Sequence, residues 1–210
     1  MKKLFSVDGD LMSFLTRLAD LAILNVIFLI TCLPIVTIGP ALVALYSVTL
    51  KMVKNEESYI FKGYFKAFKD NFKISFISWL ILLAAFFMLY IDLQIANTFA
   101  GSIRTIMTVL FFFMLLVCIV LLLYLFPYIA RFENTLRNSF KNSFIIAVAS
   151  LQYTILMLII TVSVIVLSFF VIPLQYSILM WIIFGFSAIA LLHSVIFRRV
   201  FAKYEPPVDS

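Results

Sequence analysis

Apolar side chains run through this chain in long stretches, at residues 18–33, 41–50, 74–91, 106–126, 143–172 and 174–197. A helix rises about 1.5 Å per residue and needs about 20 apolar residues to cross a bilayer core. The runs from 74 onward therefore predict membrane-spanning helices. The stretch 143–197 exceeds one crossing and carries Pro173, Gln175 and Tyr176 near its middle, which predicts two helices joined by a tight turn at 172–175.

The first two runs are shorter, and the segment between them decides how they cross. It reads Pro34-x-x-Thr37-x-Gly39-Pro40. Proline disfavours helix at the residue before it, and Gly-Pro is good turn and helix-start chemistry, which puts Pro40 at the first position of a second helix. The local sequence thus favours a hairpin over one long broken helix. Charge gives an independent vote. With six spans and both termini cytoplasmic, fifteen of the sixteen basic residues face inward. These are Lys2, Lys3, Arg17, the six lysines from Lys51 to Lys73, Arg131, Arg137, Lys141, Arg198, Arg199 and Lys203, with Arg104 alone outside. Five spans leave twelve inside, so the positive-inside rule selects six.

The expected fold is all-α: one membrane domain over 1–210, a polytopic bundle of helical hairpins with basic amphipathic interfacial segments. Hairpin 1 spans about 11–53, a basic interfacial helix 58–73, hairpin 2 about 74–130 and hairpin 3 about 143–200, before a short polar tail at 204–210. The outer connections at 34–40 and 172–175 carry no charge, and 92–104 carries only Asp92 and Arg104, so no large external domain is expected. A repeat at an offset of 68 sets AFKDNFKISFI (67–77) against TLRNSFKNSFI (135–145). Its unit would be a basic amphipathic entry, a helix out, a turn and a helix back, a parallel repeat of the kind seen in transporters.

Composition agrees with the pattern. Of the 210 residues, 65% are hydrophobic and 12% charged, and the mean hydropathy is +1.17, so the bilayer must be the solvent for most side chains. The first apolar run follows Asp8, Asp10, Arg17 and Asp20 with no small-residue cleavage site after it, which argues against a cleaved signal peptide. Cys32 and Cys118 sit singly inside apolar runs and imply neither a zinc site nor a disulfide framework. One histidine leaves metal catalysis without ligands, and no cofactor is expected. The net charge of +6 reads as basic loops facing anionic lipid at the cytoplasmic surface, not as nucleic-acid binding.

Three groups of residues carry the candidate chemistry. At 100° per residue, Phe61, Tyr64, Phe65, Phe68 and Phe72 share one helical face, flanked by a stripe of Lys62, Lys66, Lys69 and Lys73, with Gly63, Ala67 and Asp70 on the far side. Such a helix anchors in the headgroup region or docks a partner. The second group is the turn at 34–40. The second helix is short enough that this turn would sit at membrane depth, where irregular backbone survives only inside protein or against a wet cavity. There Thr37 and the amides at the Gly39-Pro40 helix start, beside Pro34, would face a small molecule with a positive dipole end. The alternative, and the simpler reading, is a plain tight turn that closes the hairpin. The third group is Asn25, Gln152 and His193, polar residues within spans that are expected to face the bundle. Arg17 and Asp20 are spaced to pair at i, i+3. Paired carboxylates, a Ser/His/Asp set and a phosphate loop are all missing from the sequence, so no enzymatic chemistry is expected.

The motif Leu33-Pro34-x-x-Thr37-x-Gly39-Pro40-Ala41-x-x-Ala44-Leu45-Tyr46, followed by Glu56-Glu57-x-Tyr59 and Phe65-x-x-Phe68-x-x-Asn71-Phe72, resembles the YesL-type membrane proteins, a bacterial family of unknown function. The resemblance is strongest over 18–76 and continues through 136–144. It implies a multi-pass protein of the bacterial plasma membrane, commonly encoded beside sugar-importer and glycan-utilisation genes; it implies no known activity and carries over no catalytic residues. The resulting expectation is a non-enzymatic accessory or regulatory component associated with carbohydrate uptake, with an importer complex as its partner. The alternative is a small-molecule transporter or flippase in its own right, suggested by the repeat and the turn at membrane depth.

Overall fold

The structure, a computed structural model, describes residues 10–56 and 59–204. Lys2, Lys3, Asp8, Glu57, Glu205 and the tail beyond Tyr204 lie outside the described residues. Helix α1 (Asp10–Cys32) leads through a 3-10 turn (Ile35–Thr37) into α2 (Ile38–Val53). Next come α3 (Ile60–Asp70), α4 (Phe72–Ala96), α5 (Gly101–Arg131), α6 (Leu136–Ala149) and α7 (Leu151–Val166), which ends in a π-helical turn (Leu167–Val171). After Pro173, α8 (Leu174–Met180) passes through a second π turn (Trp181–Gly185) into α9 (Phe186–Phe201). Among the described residues, six helical stretches are long and apolar enough to cross a membrane: Phe14–Cys32, Ile35–Val53, Phe72–Ala96, Gly101–Arg131, Leu151–Val171 and Leu174–Phe201.

The start of α1 and the end of α9 meet at one end of the bundle, as an even number of crossings requires. There Arg17 Nη2 donates to Asn55 Oδ1 (2.6 Å) and Arg198 Nη1 to the Val53 carbonyl (3.0 Å). Arg17 thus reaches the end of α2 in place of the expected pairing with Asp20. Asn55 is placed to receive it because it terminates α2 in the left-handed region, at φ 55°. The Glu56 N–H returns to the Lys51 carbonyl (3.2 Å) and the Asn55 N–H to Met52 (3.2 Å), a Schellman closure.

Helix α2, short at about 24 Å, is the hub of the bundle, packed against α1, α3, α4, α5 and α9. Its small residues make this possible: Gly39, Ala41 and Ala44 let neighbouring backbones approach where apolar side chains gain nothing by leaving lipid. A Cβ built on Gly39 would fall on the Ser75 carbonyl and within 2.6 Å of Trp79 Cβ. At the basic end an aromatic cluster joins α2, α5 and α9. Phe197 meets Tyr124 edge-on at 5.1 Å and Tyr46 at 6.1 Å, and stacks on Phe201 at 5.1 Å.

Several boundaries differ from the sequence pattern. The hairpin turn is compressed into Leu33 and Pro34, and Pro40 occupies the third position of α2, not the first. The first helical N–H groups have no partner within the helix, so proline is tolerated there as well. Hairpin 3 begins at Leu151, because α6 ends at a separate break at Ser150. The register that aligns Phe72 with Phe140 puts the Asn71 break at Ser139, inside α6. In the structure the two repeat copies share a fully buried serine, Ser75 and Ser143, and an exposed lysine, Lys73 and Lys141.

The most connected polar side chain in the spans is Asn25. Its Nδ2 donates to the carbonyls of Trp181 (3.0 Å) and Ile182 (2.7 Å), and its Oδ1 accepts from the N–H groups of Phe186 (3.0 Å) and Ser187 (2.9 Å). A π turn breaks the regular hydrogen-bond ladder, and one carboxamide serves four backbone groups across that interruption. Ser187 Oγ completes the join, 2.9 Å from the Leu21 carbonyl and 3.1 Å from that of Phe184.

Asn25→Leu keeps the volume and removes all four bonds, leaving buried backbone groups unpartnered at a cost of about 3 kcal/mol. The expected outcome is a melting point lower by roughly 5–10 °C, read by thermal unfolding of the detergent-solubilised protein. An unchanged melting point would show that the π turn is held by packing alone.

Candidate functional site

The turn between α1 and α2 is a closed polar knot. Thr37 Oγ1 lies 2.7 Å from both the Thr31 and the Pro34 carbonyl oxygens and shares its one proton between them. Trp79 Nε1 donates to the Ile35 carbonyl (2.7 Å). Thr31 Oγ1 donates back into its own helix, to Ile27 (3.0 Å) and Phe28 (2.9 Å), and its oxygen takes the Tyr64 hydroxyl at 2.6 Å. Thr37 and Gly39 therefore close and pack the turn in place of facing a small molecule, and neither lines the two cavities described below.

Tyr64 changes the picture of α3. The five aromatic residues do not lie together in the headgroup region: Tyr64 is fully buried, and Ile60, Ala67 and Phe68 pack beside it against the core. This is an i, i+4, i+7, i+8 face directed at α1 and α2. Ala67, expected on the far side, is part of it because a small residue lets the helix approach. Burial pushes the Tyr64 phenol above its ordinary range. Lys62, Lys66 and Lys69 of α3 and Lys73 of α4 stand exposed, with Phe61, Phe65 and Phe72 exposed among them. The rings form a ladder, Phe61–Phe65 at 4.7 Å, Phe68–Phe72 at 5.6 Å and Phe72–Phe76 at 5.6 Å.

His193 sits in a second polar group that the sequence reading did not assemble. Thr161 Oγ1 donates to the Met157 carbonyl (2.9 Å), so its oxygen accepts from His193 Nε2 (3.1 Å). Nδ1 is then the acceptor for the Tyr46 hydroxyl (3.2 Å). The network assigns a neutral imidazole with its proton on Nε2. One turn further, Ser194 and Thr49 hydroxyls meet at 2.8 Å, again joining α9 to α2. Tyr46 and Thr161 escaped notice because each lies in an apolar run. The pairing of a span histidine with tyrosine and threonine depends on which helices meet. Gln152, grouped with Asn25 and His193 by its place in an apolar run, is instead exposed. The break at Ser150 puts it in the first turn of α7, where its amide is not forced into the core.

The Tyr46–His193–Thr161 group forms the polar wall of a cavity of about 310 Å³ between α1, α2, α5, α7 and α9. The remaining lining residues are aliphatic or aromatic, including Phe28, Leu45, Leu123, Leu158 and Ala190, with Trp181 Nε1 among them buried and unpartnered. A smaller cavity of about 40 Å³ at the basic end is lined by Lys51, Lys54, Arg131 and Arg198, with Glu56 among them.

Fold and site together define an all-helical, multi-pass membrane protein whose buried polar groups tie helices to one another. The chain belongs to the YesL-like family described as "Protein of unknown function, DUF624", whose model matches residues 21–93, from α1 through α4. It is similar to the uncharacterized protein YesL of Bacillus subtilis (strain 168), at 30% identity over 161 residues, covering 75% of this chain and 76% of that protein. It is also similar to the uncharacterized protein YteU of the same organism, at 28% identity over 153 residues, covering 71% of this chain and 68% of that protein. No solved structure matches.

Two substitutions separate packing from polarity at the turn. Gly39→Val is expected to drive α4 from α2 and reduce the yield of monodisperse protein severalfold in size-exclusion chromatography. Tyr64→Phe keeps the ring and loses the hydroxyl bond, with an expected cost of about 1 kcal/mol in the same unfolding assay as Asn25→Leu. Equal behaviour of Gly39→Val and wild type would show that α4 is not held at this contact.

Proposed function

We propose that the protein is a non-enzymatic accessory component of the bacterial plasma membrane, both termini cytoplasmic, that docks a partner on the basic edge formed by α3 and the start of α4. The observation that carries this reading is the contrast between the two faces of α3. Ile60, Tyr64, Ala67 and Phe68 fasten one face to the α1–α2 hairpin, while Lys62, Lys66, Lys69 and Lys73 are left exposed. A helix fastened in this way presents its cations at fixed spacing, which suits an acidic protein surface as well as anionic lipid. Asn25 and His193, polar residues within the spans, are occupied in joining helices, which supports a role without chemistry of its own. The resemblance to the YesL-type family suggests a carbohydrate importer complex as the partner. A second reading, transport or flipping of a small molecule, draws its support from the cavity beside His193.

Mild-detergent purification of tagged protein from native membranes tests the docking. Importer components should co-purify with wild type and fall at least tenfold with K62E/K66E/K69E/K73E. If none co-purifies with wild type, the docking reading fails. Orientation is tested with a membrane-impermeant maleimide on single-cysteine variants lacking Cys32 and Cys118. Lys203→Cys should react only after permeabilisation and Asn97→Cys in intact cells; the reverse pattern would overturn the cytoplasmic placement of the basic end.

A further inference from the structure

The cavity of about 310 Å³ has no role in the docking reading, and its wall narrows what it takes. It falls within the size range of ligand sites, yet it lies among membrane-spanning helices. Ile119 of α5 and Ile165 of α7 line it and are also 36% and 41% exposed, so it opens sideways between those helices. The surface around that opening is apolar and outward-facing, with Leu116 51% and Val162 57% exposed. At the basic end the gap is closed by the Tyr124 hydroxyl on Thr154 Oγ1 (2.8 Å). The medium at the opening is therefore lipid hydrocarbon, not water.

The chemistry of the interior agrees. Tyr46, His193 and Thr161 are linked hydroxyl to imidazole to hydroxyl, and Thr161 passes its proton to the Met157 carbonyl. No donor of this group is left for a ligand. Every other lining side chain is aliphatic or aromatic; the one further polar atom, Trp181 Nε1, is buried without a hydrogen-bond partner, a single donor against the two to four partners an ordered water needs. A cavity of this kind stays dry and takes apolar guests, and vacant space of this size would forfeit the dispersion contacts of its lining. We propose that the cavity is a built-in site for one hydrocarbon chain of a membrane lipid, which enters sideways between α5 and α7 and leaves its headgroup outside the protein. Ala190, only 2% exposed and on the lining, marks the interior, since a chain in the annulus around the bundle does not reach it.

The test is photolabelling in vesicles of phosphatidylethanolamine and phosphatidylglycerol doped with a phospholipid carrying a terminal diazirine on its acyl chain. Labelled sites are mapped by peptide mass spectrometry. Wild type should be labelled at Ala190 or Ile189 as well as at outward positions such as Phe113 and Ile159. Filling the cavity with L123F/L158F should lower the inner labelling at least tenfold and leave the outer labelling unchanged. Labelling confined to the outer positions in wild type overturns the proposal without reference to any variant. So does inner labelling that persists in the filled variant. If L123F/L158F does not fold, A190L replaces it, read at Ile189 with the same expected loss. Native mass spectrometry of wild type adds a second readout: about one phospholipid per protein is expected to survive mild detergent, and none to survive would also count against the site.

Discussion

In hydrocarbon every backbone N–H and C=O needs a partner inside the protein, since an orphan costs several kcal/mol. The last crossing departs locally from the regular α-helical ladder, at the π turn Trp181–Gly185. Asn25 reinforces it by supplying two donors and two acceptor sites to the backbone on either side of the turn. This links the first and last helices at a fixed depth and rotation, with Phe28 against Phe186 at 5.4 Å beside it. Helix α2 is enclosed between them. A side chain that serves backbone is a stronger constraint than one that serves another side chain, because the helix cannot rotate away without uncovering the same polar groups.

The second constraint is steric. In a bilayer, apolar side chains gain little by leaving lipid for protein, so helices hold together by close approach and by hydrogen bonds. Gly39, Ala41 and Ala44 give α2 its close neighbours, and hydroxyl and imidazole bonds at Thr31–Tyr64, Tyr46–His193 and Thr49–Ser194 join it and α1 to α3 and α9. The turn at Pro34, which the sequence leaves open as a plain hairpin turn or a small-molecule contact, is closed by the protein itself. Its hydroxyls and carbonyls are satisfied within the hairpin and by Trp79 from α4.

Between α5 and α7 the cavity opens sideways through an apolar surface. Where cations gather, on α3 and at the basic end, they stand on elements fastened to the hub by buried aromatic residues. The two features lie on different parts of the bundle and suit different partners: bilayer hydrocarbon for the first, an acidic surface or anionic headgroups for the second.

The sequence by itself determined the solvent, the number of crossings and the clustering of charge, because each depends on the length of apolar runs and the placement of lysine and arginine, which are one-dimensional properties. It also pointed to Asn25 and His193, since a polar group inside a span must have a partner. Tertiary structure alone decided who those partners are. Backbone carbonyls at Trp181 and Ile182 carry no sequence signal, and Tyr46 and Thr161 are unremarkable until α2, α7 and α9 bring their hydroxyls to one imidazole. The same reason explains where the structure departs from the sequence pattern. Tyr64 and Ala67 have the spacing of either face of α3, and only contact with the α1–α2 hairpin selects the inward one. Gln152 lies in an apolar run, but the break at Ser150 places it at a helix start and exposes it. Periodicity tells which residues share a face, and the neighbouring helices decide what that face meets.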